Sequence, residues 1–560
     1  MITAEQCRRL AVGRLSFPRQ NPFASDRLLP PNMVEHLHFH VNAVPHFSAL
    51  LLFGAQQSLV CISGLLVTPY LISNMICAGS ETIAIRLSIL HGPSFAFLPA
   101  LHTFSDAFPC NPDTDTSKWR EKMQLVAPRC VPVPLNLFQI SGSLLVAVLI
   151  MPLLGVTGLI GRISKYIGPI TIVPMLILLC VGTVPDIEAK LSLHWISIVE
   201  LLILIAFVVL LEGFAVPIPV YSFQRKRFET VKYLLGMVIA WFVCWLLTAS
   251  GLEPTESAAR TDHNESLQVL HDTPWLQVPY PFAFGLPKLS VTLIFGFTAS
   301  CFACMIESVG NYGLCARISE QGRPPSASIN RAFVMEGLGS ILAASMGVGT
   351  GVTTYSENIA IMQVTKVTSR ATMQCAGALL VLVGLFSKLA AFLALIPEAI
   401  IGGVLATGMS MICGVAFSSL QSVDLRLSRN LTIIGLSIVL GCTIPAHFEQ
   451  TAFRSGNETV DEVLGTLLKI RMLVGGLIAF FLDVASGGAT RKQRGLHVDD
   501  EPECLEMSVE QDGFALPSIA NRTILKMPSI SKLPVFPSEK SIKQVELRRE
   551  KSKNDVTNNN

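Results

Sequence analysis

Charge is what this sequence has least of. Asp, Glu, Lys and Arg make up 15% of its 560 residues, against 51% hydrophobic residues. With a mean hydropathy of +0.53, that scarcity excludes a soluble globular chain and leaves a polytopic membrane protein. A phosphate loop, a metal-ligand cluster and a nucleophile motif are all lacking, which argues against an enzyme and against any resident cofactor. The basic residues are spread over many connections rather than gathered into a patch, so nucleic acid is not an expected partner. A cleavable leader is also missing from the sequence pattern. The first 45 residues are polar and basic (Arg8, Arg9, Arg14, Arg19, Arg27) with no continuous apolar stretch. Cysteine is not scarce, at 14 residues. Most of it lies in or beside apolar runs, where it acts as a small hydrophobe; only Cys110 and Cys130, in one polar loop, are candidates for a bridge.

Apolar runs near spanning length fall at about 47–72, 138–160, 168–185, 195–215, 231–251, 290–315, 330–348, 371–394, 400–420, 430–446 and 467–486. Two shorter runs, 87–103 and 349–366, are interrupted by Gly or Pro, for about thirteen segments in all. Basic residues mark alternate connections: Arg162/Lys165, Arg225/Lys226/Arg227, Arg317/Arg323/Arg331, Lys366/Arg370, Arg426/Arg429 and Arg491/Lys492/Arg494. The intervening connections are acidic. The positive-inside rule makes the first set cytosolic and the second extracellular. The glycosylation sequons at Asn264 and Asn457 both fall on the outer set, an independent agreement. The organisation expected is a cytosolic N-terminal region (1–45), a first half (46–251), an extracellular loop (252–289), a second half (290–486) and a disordered cytosolic tail (487–560).

Charge that does occur at membrane depth is therefore informative. Glu357 and Asn358 set a carboxylate beside a carboxamide just after Gly347, Gly349 and Gly351, which weaken any regular helix. Ionisable groups and irregular backbone are costly in a bilayer and mark a solute or ion pathway. Two interrupted segments, one in each half, point to an inverted-repeat transporter with its site at the midplane where they meet.

The run Glu357-Asn358-Ile359-Ala360 followed by Thr365-Lys366 resembles the signature of the nucleobase–ascorbate transporter family: Gln, Glu or Pro, then Asn-x-Gly, four variable residues, Thr, and a basic residue or Gly. Ala360 departs from the glycine. Further matches are Ile306-Glu307-Ser308-Val309-Gly310, Ile329-Asn330-Arg331 with Glu336-Gly337, Leu420-Gln421-Ser422-Val423-Asp424 and Ser428-Arg429-Asn430-Leu431. The likeness runs from about residue 45 to about residue 485. It implies an all-α fold of fourteen segments in two inverted repeats of seven, with a core domain, a gate domain and a homodimer. It also shows what is missing. Glu307 to Asn358 is 51 residues, whereas the matching step from Gln57 to Phe95 is 38, so the second helix of the first repeat has no counterpart between Ala84 and Arg86. If 47–72 and 87–103 both cross, the arginine-rich N-terminus is extracellular, against its charge.

The resemblance also implies roles. Glu307 and Glu357 would accept hydrogen bonds from ring N–H groups, with Asn358 either touching the solute or orienting its segment. Ser94 and Phe95 would line the opposite half-site, and Gln57 stands where relatives carry His. Gln56, Asn311 (where relatives have Asp or His), Glu336, Thr365 and Lys366 are candidates for coupling and gating. Glu at position 357 goes with nucleobase transport in the family, and Pro with ascorbate. Two carboxylates suit a planar ligand offering adjacent N–H donors and repel an ascorbate anion unless protonated or cation-paired. The leading expectation is a plasma-membrane, multi-pass secondary transporter with a cytosolic C-terminus, taking up uracil- or xanthine-like nucleobases by an elevator mechanism with H+ or Na+. Sodium-dependent L-ascorbate transport is the alternative. Ala360 and the shortened repeat keep a third reading open, a transport-inactive dimer partner or receptor.

Overall fold

A computed structural model describes residues 39–58, 94–98, 100–101, 135–207, 228–254, 257–355 with short gaps, 358–359, 362, 367–496 apart from 394 and 452, and single turns between 524 and 547. Among the described residues the regular elements are helices. The one exception is an isolated parallel bridge between Phe39 and Val367. In chain order they are α1 (47–58), a 3-10 turn Phe95–Phe97, α2 (Leu135–Val148), α3 (Ile150–Thr157), α4 (Leu159–Ile163), α5 (Pro169–Gly182), α6 (Val184–Leu191), α7 (Trp195–Ile205), α8 (Phe228–Ala249), α9 (Val291–Ile318), α10 (Ser326–Ser345), α11 (Arg370–Leu385), α12 (Ser387–Leu393), α13 (Glu398–Ser419), α14 (Ser428–Gln450), α15 (Glu458–Lys469) and α16 (Arg471–Ala485). Among the described residues, five stretches are long and apolar enough to cross a membrane: Gln139–Thr157, Pro169–Leu191, Val291–Ile318, Ala399–Ser422 and Ser428–Gln450.

Packing divides the helices into two groups. In the first, α9 lies on α2 and on the 95–97 turn, while α10 packs along α2, α3 and α4. In the second, α5 packs with α13, α14 and α16, and α13 also holds α6, α7 and α8. Where lipid offers no hydrophobic drive between helices, close backbone approach takes its place. The seam of α5, α14 and α16 shows it: a Cβ on Gly441 would stand 2.4 Å from Leu178 Cδ1, and one on Gly475 2.0 Å from the same atom. The two groups touch along α9, which meets α5, α15 and α16.

The N-terminal approach pairs with the segment that leads into α11. The Phe39 carbonyl accepts from Thr368 N at 3.1 Å, and the Val41 carbonyl from Arg370 N at 3.0 Å. From there α1 runs parallel to α11, with Ser58 Oγ donating to the Ala376 carbonyl at 3.1 Å. Residues 39–43 thus share the end of the molecule that carries Arg370, the end whose charges read as cytosolic. The shortened first repeat itself falls at 59–93, outside the described residues, as does the candidate Cys110–Cys130 pair.

Three details differ from the sequence reading. The run expected at 138–160 is broken twice, at Leu149 and at Gly158, whose φ of +73° is left-handed backbone that glycine adopts at little cost. The acidic connection after α14 contains the amphipathic α15, which packs on α9 and α14. The tail, expected to be disordered from 487, is packed at 490–496, where Leu496 is buried, and again around Val535. Runs too polar and Pro-rich to form a core of their own take one from the helix ends they rest on.

The α14–α16 contact is closed by a buried ion cluster. Asp483, fully buried, pairs with Arg429 Nη1 at 2.9 Å and accepts from Arg494 Nη2 at 2.8 Å and Nε at 3.0 Å. Removing one member of such a cluster strands the others in low dielectric, at a cost of about 3–5 kcal/mol. Asp483→Ala is accordingly expected to lower the thermal midpoint in detergent by several degrees; an unchanged midpoint would show that the cluster contributes nothing net.

Candidate functional site

The two interrupted segments meet. Ser94 N donates to the Gly351 carbonyl at 3.0 Å, joining the short element of the first half to that of the second. Ser94 Oγ accepts from Ala96 N at 3.2 Å and lies 2.9 Å from Cys304 Sγ on α9. Val352 N donates to Ser340 Oγ of α10 at 3.0 Å. The join is tight: a Cβ on Gly351 would stand 2.6 Å from Phe97 Cζ, and the buried Phe97 ring is itself held 6.0 Å from that of Phe297.

Facing this join, α9 carries polar residues on consecutive turns. Glu307 is buried. Its neighbour Ser308 donates to Glu336 Oε1 at 2.7 Å, and one turn further Tyr312 OH donates to Glu336 Oε2 at 2.9 Å. Ser308 Oγ also lies 3.3 Å from Thr353 Oγ1, and Asn311 Nδ2 donates to the Thr354 carbonyl at 2.9 Å. The pairs 307/311 and 308/312 stand four apart on one helix, two adjacent stripes of one face. A carboxylate receiving two hydroxyl donors keeps lone pairs to spare, so Glu336 can still take a proton or face a cation.

Three further buried polar groups lie on α1 and just before Gly351. Gln56 and Gln57 are buried on α1, and Gln56 Nε2 and Gln57 Oε1 make no hydrogen bond; nor does the hydroxyl of Thr350, fully buried one residue before Gly351. Buried polar groups are normally paired, so these atoms have hydrogen-bonding capacity to spare. Among the described residues no group of three or more His, Cys, Asp or Glu is placed to hold a metal.

Of the residues picked out from sequence, Ser94, Glu307, Asn311 and Glu336 therefore converge on one join, and Gln56 and Gln57 are buried in α1. Asn358 is half-buried in the helical piece 358–359, and the backbone of Phe95 lies in the 3-10 turn. Glu357, Thr365, Lys366, Asn264 and the Phe95 side chain are outside the described residues. Sequence reasoning passed over Ser308, Tyr312, Thr350 and Thr353. The signal was there in the hydroxyl-rich run 350–355 and in the four-residue spacing of Ser308 and Tyr312.

A buried polar junction between interrupted elements, inside a body of apolar helices, is the architecture of a membrane transport protein. A family model described as a permease family, Xan_ur_permease, matches residues 48–450. Solute carrier family 23 member 2 of Homo sapiens is 32% identical over 496 residues, covering 82% of this chain and 76% of its own. Nucleobase-ascorbate transporter 11 of Arabidopsis thaliana is 25% identical, covering 86% of this chain and 74% of its own. Among solved structures, the transmembrane domain of the cyanobacterial bicarbonate transporter BicA covers 79% of this chain and 98% of its own at 12% identity, with a TM-score of 0.33, a likeness too slight to argue from. This chain belongs to that permease family, the nucleobase–ascorbate transporters. It is a transporter by descent, not an enzyme.

The join gives a sharp expectation. Gly351→Ala drives a methyl into an immobile ring and should cut uptake at least tenfold, a loss of roughly 1.4 kcal/mol or more. Gly377→Ala, on α11 with nothing within 4 Å of its added Cβ, should leave uptake within twofold. Equal effects of the two would mean that the Gly351–Phe97 contact is idle.

Proposed function

We propose that this protein is a plasma-membrane secondary transporter that takes up uracil- or xanthine-like nucleobases, driven by a co-transported cation. The observation that carries the reading is the acceptor set: the Glu357 of the signature, with the buried Glu307 on α9 and the buried Gln57 on α1. Ring N–H donors match such acceptors in kind, and the Gln56 carboxamide and Thr350 hydroxyl can donate to ring carbonyls. An ascorbate anion needs neutralised carboxylates in the same place. Sodium-dependent ascorbate uptake is kept as the second reading because the name of the Arabidopsis relative covers both solutes. On our reading the first helix group carries the solute and slides against the second along α9, and Glu336 holds the coupling ion. The pairing of 39–43 with 367–370 supports a cytosolic N-terminal region, so that 47–72 and 87–103 do not both cross. A homodimer through the second group completes the proposal by family resemblance.

Uptake of labelled uracil, xanthine and ascorbate in cells expressing the chain, with and without sodium and an inward proton gradient, tests it. Nucleobase uptake dependent on one cation is the expected result. Surface expression with no uptake of any of the three would sink both transport readings in favour of the inactive partner or receptor. Glu336→Gln should uncouple: residual uptake falls at least tenfold and no longer responds to the cation gradient. Wild-type gradient dependence in that variant assigns the coupling ion elsewhere.

Sidedness has its own test. Asn457 is exposed in the turn before α15. Asn457→Gln and Asn264→Gln should each remove one endoglycosidase-sensitive step in gel mobility, and the double variant both. An unshifted double variant would count against the proposed orientation.

A further inference from the structure

The tail makes two anchorages, one on each helix group. Just after α16 it is held to the second group: Asp424 N donates to the Gln493 carbonyl at 3.0 Å, Asn430 Nδ2 donates to the same carbonyl at 3.1 Å, and Arg494 grips Asp483. Further on, Leu533–Phe536 closes a turn, with Phe536 N donating to the Leu533 carbonyl at 3.0 Å. Proline stands second in that turn, where its fixed φ pre-forms the bend. The two carbonyls that such a turn leaves outward are both taken by the first group. Asn330 Nδ2 donates to the Pro534 carbonyl at 3.0 Å and Arg331 Nη1 to the Val535 carbonyl at 3.1 Å, both from the first turns of α10.

The seat is built, not incidental. Asn330 is buried, and its other end, Oδ1, accepts from Gly161 N at 2.9 Å, an amide beside the break between α3 and α4. One carboxamide thus joins α4, α10 and the tail. Gly158 makes the floor: a Cβ there would stand 2.3 Å from Pro534 Cβ, so the prolyl ring lies directly on the left-handed glycine of the break. Arg331 is steadied by Nη2 donating to Ser328 Oγ at 2.7 Å. Nothing in the solute site needs these contacts.

We propose that Gly158, Asn330 and Arg331 form a docking seat for the chain's own Leu533–Phe536 turn, and that the docked tail is a releasable latch restraining the first helix group. The tail is rooted on the second group and read on the first by two main-chain hydrogen bonds and the Pro534 ring, with Ile524, Val535 and Ile542 buried beside the turn in sequence. Docking clamps α10 six residues before Glu336, and so favours the packing seen here over any arrangement in which α4 and α10 shift apart. This second half rests on the transporter reading; the docking itself does not.

The test uses the full chain with a site-specific protease sequence inserted within 497–520, between the first anchorage and the buried Ile524. After cleavage, the fragment carrying 533–560 should stay on the affinity-captured body of the protein through washing. Pro534→Gly, a change in the tail alone, and Arg331→Ala should each shorten its retention at least tenfold. An unmutated fragment lost as fast as the Pro534→Gly fragment would overturn the docking. In intact cells Pro534→Gly should raise the initial uptake rate of labelled uracil or xanthine at least twofold at equal surface expression. Lost retention with an unchanged rate would overturn the latch and leave the seat structural. If the unmutated chain moves neither solute, the transporter reading has failed on its own terms while the retention assay still decides the docking.

Discussion

The hydrogen bond from Ser94 N to the Gly351 carbonyl is the contact on which the rest of the site depends. Backbone that leaves helical geometry at membrane depth has no water to turn to, and survives only where protein supplies its partners. Here two interruptions supply each other. What they leave over is taken up by side chains: the Val352 amide by Ser340, and the Thr354 carbonyl by Asn311. This requirement explains why α9 and α10, both apolar enough to be core, carry a polar residue wherever they pass the join. It also explains the glycine at 351, since the join can close only if backbone lies directly against Phe97.

Much of this was legible in the sequence, for identifiable reasons. The apolar runs, the alternate basic connections and the two broken segments are one-dimensional signals, and α5, α9, α10, α13 and α14 fall where they point. Glu307, Asn311 and Glu336 were legible as misplaced polarity in apolar helices. Their geometry was not. Ser308 and Tyr312 were missed because a hydroxyl is unremarkable in a helix; only the position of Glu336 on another helix gives them a purpose. The packed tail was missed for a related reason. Leu533–Phe536 is too short and too polar in context to register, and its order comes from residues two hundred positions away.

The two groups differ in how they are held. Inside the second, Gly441 and Gly475 let Leu178 reach backbone, and Asp483 locks two helix ends with a doubly paired charge, so its parts have little freedom. Between the groups the contact is a side of α9, where Gly310 meets the Ile172 side chain. Apolar surface against a glycine-faced helix has no directional bonds to break when it slides. A stiff body against a smooth seam is the mechanical condition for the relative motion proposed above. Fastenings across that seam therefore belong at the ends of helices, outside the apolar depth, as the tail is.

The neutral Asn311 bears on how such a site stays within electrostatic reach of neutrality. Two carboxylates, Glu307 and Glu336, already stand on the helices beside the join, and Glu357 follows it in the sequence. Like charges brought together in low dielectric raise one another's proton affinity or demand a cation. A fourth acid at 311, four residues from Glu307 on the same face, would add to that repulsion. The carboxamide keeps the hydrogen bond to the Thr354 carbonyl, which an ionised acid cannot donate, and drops the charge. The carboxamide therefore preserves the join without adding a charge to α9. The hydroxyls of Ser308 and Tyr312 meanwhile give Glu336 two hydrogen bonds without adding charge.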